Sequence, residues 1–199
     1  MKQHTILFYS AALVFLASCA HAPTAINLNA FGNRYYYAGQ YKEALTSYRT
    51  ALNLAQKNGD AQYEAIALFG MARAHAQLCH ASEAEKRFIQ SIDARRKLPD
   101  LNVAFLTQNL LEFGRFLRSQ SRGTEAVVLF DEAIPILREQ NFEARDPRGY
   151  ALVLKEYEEM LCKVGRISEA KTMSEEALRL ESEFQEVEPK FTPEGYPSC

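Results

Sequence analysis

Gly39-Gln40-Tyr41-Lys42-Glu43-Ala44, followed by Tyr48 and Ala51-Leu52, is a phrase that the chain repeats. Ser82-Glu83-Ala84 leads to Phe88 and Ser91-Ile92. Gly123-Thr124-Glu125-Ala126 leads to Phe130 and Ala133-Ile134, and Gly165-Arg166-Ile167-Ser168-Glu169-Ala170 to Ala177-Leu178. The alanines at 44, 84, 126 and 170 stand 40, 42 and 44 residues apart. A period of that length marks a helix-turn-helix unit that buries its apolar face by stacking on its neighbours. The pattern predicts eight helices, at about 26–38, 41–57, 61–78, 81–97, 102–120, 123–140, 148–164 and 167–186. The breakers agree: Asn58-Gly59-Asp60 follows the second, Leu98-Pro99-Asp100 the fourth, and Asp146-Pro147 opens the seventh. Pro135 falls inside the sixth and is expected to kink it or end its regular part.

These units resemble the tetratricopeptide repeat (TPR), whose eighth, twentieth and twenty-seventh positions are small because its two helices cross closely. With the anchoring alanines at position twenty, the eighth positions are Gly32, Ala72, Gly114 and Glu158, and the twenty-seventh are Ala51, Ser91, Ala133 and Ala177. Seven of the eight are Ala, Gly or Ser; those types make up 47 of 199 residues, so unrelated positions would supply about two. Glu158 is the departure and puts the first helix of the fourth unit in question as a close packer. The eleventh positions, Tyr35, His75, Leu117 and Leu161, are mostly large, as core positions should be. The spacing is nearest that of kinesin-light-chain-like repeats. The resemblance implies an all-α fold, a right-handed α-solenoid of about four TPR hairpins over residues 26–187, with an extended tail at 188–199. The last helix should cap it, with Glu175, Glu176, Arg179, Ser182 and Glu183 facing solvent.

Composition sets wide limits. With 47% apolar and 24% charged residues, the chain is neither disordered nor a polytopic membrane protein. A net charge of -2 gives no reason to expect nucleic acid. The apolar residues are uneven, however. Lys2 is followed by an apolar run from Ile6 to Ala17, the pattern of an export signal and too short to span a bilayer. Leu16-Ala17-Ser18-Cys19 resembles the lipobox of bacterial lipoproteins. That resemblance implies removal of residues 1–18, lipidation of Cys19, a tether over 19–25, and a protein held on a membrane outside the cytoplasm. Ala20, in place of Asp, favours the outer membrane of a Gram-negative host, periplasmic face. Without Lys2, 22 basic residues face 25 acidic ones, so the body is mildly acidic and the lipid alone must hold it.

No Gly-rich phosphate loop, His-Glu-x-x-His or Gly-x-Ser-x-Gly occurs. His75 and Cys79 lie four apart on one helix face, but His80 should turn away and no third ligand is near. A packing role is therefore expected, with no metal, no cofactor and no catalytic residue. Glu158-Glu159, Glu175-Glu176, Glu181 and Glu183 read as solvated helix faces. Three cysteines remain beyond Cys19. Cys199 could reach Cys162 in an oxidising compartment, but three free thiols are the expectation.

In the TPR family the first helices line a concave groove, and positions 2, 5, 9, 12 and 13 face it. Carried onto this chain, the first unit offers Asn29, Asn33, Tyr36 and Tyr37, and the second Arg73 and Gln77. Arg115, Arg118 and Lys155 extend a basic stripe through the third and fourth. Tyr and Arg are common interface anchors, and a basic stripe suits carboxylates. The family's carboxylate clamp is absent, because Asn29 and Gly70 replace its Lys and second Asn, although Asn33 matches. The resulting expectation is a lipid-anchored scaffold that binds a protein or peptide partner in envelope assembly: pilus or secretin, β-barrel or cell-wall machinery. A self-associating structural lipoprotein is the alternative, and a metal-dependent enzyme a weaker one resting on His75 and Cys79.

Overall fold

The computed structural model describes residues 23–98 and 103–199; the apolar leader and Cys19 lie outside them. The described residues form helices α1 (Ala25–Tyr37), α2 (Tyr41–Asn58), α3 (Ala61–Gln77), α4 (Ala81–Arg96), α5 (Val103–Ser119), α6 (Gly123–Glu139), α7 (Phe142–Arg145), α8 (Pro147–Lys163) and α9 (Ile167–Glu183), and no strand. Eight agree with the periodicity; α7 is a single turn, too short for any periodic signal. Local chemistry sets several boundaries. Thr24, Asp60 and Asp146 accept from the backbone N–H of Asn27, Tyr63 and Gly149. Pro147 opens α8, where its missing N–H leaves nothing unpaired.

Each hairpin turns through one residue with positive φ: Gly39 (73°), Cys79 (58°), Ser121 (62°) and Gly165 (81°). The left-handed conformation is free for glycine, whereas a residue with a Cβ pays about 1 kcal/mol or more. The second and third turns therefore carry side chains where the first and fourth carry none.

The helices of a hairpin meet at small residues. A Cβ on Gly32 would lie 2.4 Å from the Tyr48 ring, and one on Gly70 would also meet that ring at 2.4 Å. A Cβ on Gly114 would lie 2.7 Å from the Phe130 ring. The fourth hairpin inverts this pairing. Glu158 occupies the glycine's place, and the position of Tyr48, Phe88 and Phe130 is taken by Ser174. The small member has moved to the other helix, so α8 still packs on α9 through Met160, Leu161, Ala177 and Leu180. Pro135 does not end α6, which continues to Glu139 with Ile134 and Leu137 buried on either side of it. Tyr35, expected in the core, is exposed instead, because the core around Tyr36 and Tyr48 lies on the other side of α1. The α9 face agrees with a cap: Met173, Ala177 and Leu180 are buried, while Glu175 and Arg179 are exposed.

Gly114→Ala should destabilise the chain by about 1–3 kcal/mol, the usual effect of overpacking. Gly123→Ala, where a Cβ meets nothing within 4 Å, should be near neutral. Urea denaturation of both variants checks this; equal stability would show that Phe130 yields freely.

Candidate functional site

The concave face carries the chain's own C-terminal segment. After α9 the chain turns back beneath α8, where Asp146, already capping that helix, accepts from the backbone N–H of Lys190 (3.2 Å) and Phe191 (2.9 Å). Gly149 makes room, since a Cβ there would lie 2.1 Å from the Asp146 carboxylate. Phe191 then lies 5.0 Å from the Arg115 guanidinium. Glu194 reaches Arg73, whose Nη2 approaches its Oε2 at 2.9 Å and whose Nε donates to the same oxygen at 3.0 Å. Tyr36 donates its hydroxyl to the other oxygen. Gln77 donates to the Gly195 carbonyl at 2.9 Å and Gln120 to the Pro197 carbonyl at 3.1 Å. The Tyr196 ring stands edge-on to both Phe88 and Phe116, and its hydroxyl donates to Glu112 at 2.7 Å.

Charge and burial reinforce these contacts. The Arg73 guanidinium lies over the Tyr36 ring at 4.1 Å, near Tyr37 and Phe69 as well. Burial opposes its charge, but Glu194, together with Tyr36, Tyr196 and Tyr37, raises its pKa. Burial, then the Glu194 carboxylate, pushes the Tyr36 phenol far above its usual range, so it stays a donor. Tyr196 is raised in the same direction, by burial and then by Glu112 and Glu194.

Of the residues expected in the groove, Tyr36, Arg73 and Gln77 meet on Glu194 and Gly195, and Arg115 meets Phe191. The others divide. Tyr37 is 74% exposed at the rim. Asn29 is buried and donates to the Tyr63 carbonyl, joining α1 to α3, and Asn33 accepts from the Tyr48 hydroxyl. Lys155 pairs with Glu181 on α9 at 2.7 Å. The open basic stripe expected from sequence is therefore corrected. Arg115 is buried against Glu112 (2.7 Å) and Glu156 (2.6 Å), and half-buried Arg118 shares Glu156 at 2.9 Å. Glu112 and Glu156 escaped the sequence reading, as did Gln120 and the hold of Asp146 on the tail, beyond its place at a helix start. A signal existed for the first two: both stand at position six of their repeats, where the clamp-bearing relatives place the Asn sought at Gly70. Burial raises the Glu112 pKa, with Arg115 opposing.

The cysteine expectation is also corrected. Cys79 and Cys199 form a disulfide closing a separation of 120 residues, with Cα atoms 5.4 Å apart, while Cys162 is free and exposed. The tail runs away from Cys162 and ends at the α3–α4 turn. His80 does not turn away: Cys79 reverses the chain after α3, the His80 N–H bonds the His75 carbonyl, and the two ring Nδ1 atoms lie 3.2 Å apart. In this state the Cys79 sulfur is bonded to Cys199 and is no thiolate ligand.

The groove, the hairpins and their small-residue crossings define a TPR-type α-solenoid. A tetratricopeptide repeat family model matches residues 9–97, a match that takes in the first two hairpins. Solved structures with the same fold include BtubC (BKLC) from P. vanneervenii, at 17% identity and TM-score 0.73, covering 86% of this chain and 68% of that one. MamA aligns at 16% identity and TM-score 0.61, over 82% of this chain and 81% of that one. A Podosopora anserina putative kinesin light chain with nearly identical TPR-like repeats aligns at 16% and 0.61, over 82% and 77%. No curated protein matches the chain. No catalytic family is indicated by these matches.

Peptide mapping without reductant should recover Cys79 linked to Cys199, with Cys162 alone alkylated; a Cys162–Cys199 peptide would overturn the pairing. A pH effect follows from His75, whose pKa is lowered to about 4 by burial and then by His80. Glu83 opposes that shift, while Arg87 and Arg49 add to it. Between the unfolded value of 6.5 and about 4 the unfolded chain binds more protons at this site, so stability falls as pH falls through that window. His75→Gln should lose less stability than wild type between pH 7 and pH 4.5 in urea titrations; an equal loss would remove His75 as a contributor.

Proposed function

We propose that this chain is a lipid-anchored, outer-membrane scaffold, facing the periplasm, that holds a peptide segment of a partner protein on its concave face during envelope complex assembly. The observation that carries the reading is that this face already holds an extended segment. Side chains of three successive first helices, Tyr36, Arg73 and Glu112, grip the tail's charged and aromatic groups. TPR folds bind protein or peptide partners in general, which agrees with that use of the face. Two features support the location. Leu16-Ala17-Ser18-Cys19 follows an export-type apolar run, and an exposed disulfide persists in an oxidising compartment such as the periplasm. Whether the assembly is a pilus or secretin, a β-barrel or cell-wall machinery is a choice among partners.

A second reading, self-association, draws on the exposure of Ile26, Phe31 and Tyr35 on α1 at one end of the solenoid. A monomeric mass by sedimentation would remove it.

Cys19→Ser should move the protein from the membrane pellet to the soluble periplasmic fraction. A photo-crosslinking residue at Tyr37, the exposed groove rim, should capture a discrete partner in cells. Continued pelleting of the Cys19 variant would overturn the anchor, and crosslinks no different from those of a convex-face control would overturn the groove.

A further inference from the structure

The tail's contacts are those of a bound peptide. It is extended, it lies across the first helices, and it supplies partners to groups that are buried while it is in place. Glu194 neutralises Arg73, which is 5% exposed and sits among three aromatic rings. Tyr196 supplies a donor to Glu112, 3% exposed and already committed to Arg115 through its other oxygen. At its end the segment is tied to the hairpin turn by Cys199, and both cysteines are exposed to solvent.

We propose that residues 190–199 are a resident ligand latched over the peptide site by the Cys79–Cys199 disulfide, and that the site recognises a partner segment of the type Glu-x-Tyr-Pro. The proposal deepens the scaffold reading and rests on it. Recognition divides into three parts. Arg73 and Tyr36 take a carboxylate, and the Phe88–Phe116 edge takes an aromatic ring two residues on. Glu112 demands that the ring carry a hydroxyl, so Tyr is selected over Phe. Release requires a dithiol reductant. One of its thiolates attacks a sulfur of the Cys79–Cys199 bond and forms a mixed disulfide with it, expelling the other cysteine as a thiolate that takes up a proton. The second reductant thiolate then displaces the remaining cysteine. The protein gains two electrons and two protons as two thiols, and the reductant leaves as its own disulfide.

Opening the latch does not remove the competitor. The tail stays joined to α9, so its effective concentration at the groove remains in the millimolar range and only a partner able to outcompete it binds. Reduction thus converts a closed site into a contested one.

The test uses detergent-solubilised full chain and a fluorescent peptide of residues 188–198. In the oxidised protein the Lys190 and Phe191 amides should be protected from hydrogen exchange; a dithiol should raise their exchange at least tenfold while α5 is unchanged. In a chain carrying Glu194→Ala, Tyr196→Ala and Cys199→Ser, where the tail has lost its anchors, the peptide should bind saturably. It should not bind the oxidised wild type. Adding Arg73→Gln to that chain, or replacing the peptide's tyrosine by phenylalanine, should weaken binding about tenfold. Tail exchange indifferent to reduction would overturn the latch. Absence of peptide binding to a variant of wild-type helicity would overturn the ligand reading. If the variant does not fold, the peptide is titrated into reduced wild type, where failure to speed tail exchange at millimolar concentration overturns it equally. A partner captured at position 37 that persists after such a failure would leave the scaffold reading standing and remove only this one.

Discussion

One contact organises the N-terminal half: the Tyr48 ring occupies the space that a Cβ on either Gly32 or Gly70 would need. A single side chain of α2 thus touches the backbone of the helix before it and the helix after it. Close approach is possible only because neither partner has a side chain there, and burying the ring contributes about 2–3 kcal/mol that a larger neighbour would forfeit. With α1 and α3 both drawn onto α2, they come to lie side by side, and Tyr36 meets Arg73 at 4.1 Å. The groove's cationic centre is therefore a consequence of packing on the opposite side of the same helices. A change at Gly70 would reach Glu194 without touching it.

Further along, the concave face is organised by charge. Arg115 joins α5 to α8 through Glu156, and Glu112 completes the cluster from within α5. Burying three charges is unfavourable unless each is paired, and removing one member leaves the others uncompensated. The arginine seen from sequence as a free hand for a partner is thus part of the frame. Arg73 differs, because its carboxylate comes from the tail and not from another repeat. Arg73 is therefore the groove cation whose partner can be exchanged while the solenoid stays intact.

The parts of this structure that were legible in the sequence are those decided within one hairpin. The breaker at Asn58-Gly59-Asp60, the helix start at Asp146-Pro147, the glycines of the turns and the small residues at the crossings act over a few residues, and their spacing shows them. Glu158 looked like a defect because its compensation, Ser174, lies on the partner helix; reading the two positions together makes the fourth hairpin regular. What was not legible depends on the path of the chain in space. Glu194 is 158 positions from Tyr36 and 121 from Arg73, and no periodicity links them. The prolines and glycine of the tail correctly indicate an extended segment, but an extended segment can go anywhere. Cys199 could have been matched with any cysteine until Asp146 and Arg115 were seen to steer the tail toward α3. Likewise, His80 turns toward His75 only because Cys79 adopts a left-handed conformation that sequence favours at glycine.

That conformation bears on why a cysteine stands at the second turn at all. The equivalent residues of the first and fourth hairpins are Gly39 and Gly165, which adopt it without strain. Cys79 carries a penalty of about 1 kcal/mol in the same geometry. Closing a loop of 120 residues offers up to about 5 kcal/mol in the chain-entropy account, more than enough to offset it. The balance is favourable only while the bond exists. Once reduced, the chain keeps the strained turn and loses the cross-link, and the tail is held by Glu194, Tyr196 and the Asp146 bonds alone. Ser121 keeps the same geometry in the third hairpin with no cross-link, so the fold tolerates that cost, and what the cysteine adds at the second turn is the bond to the tail.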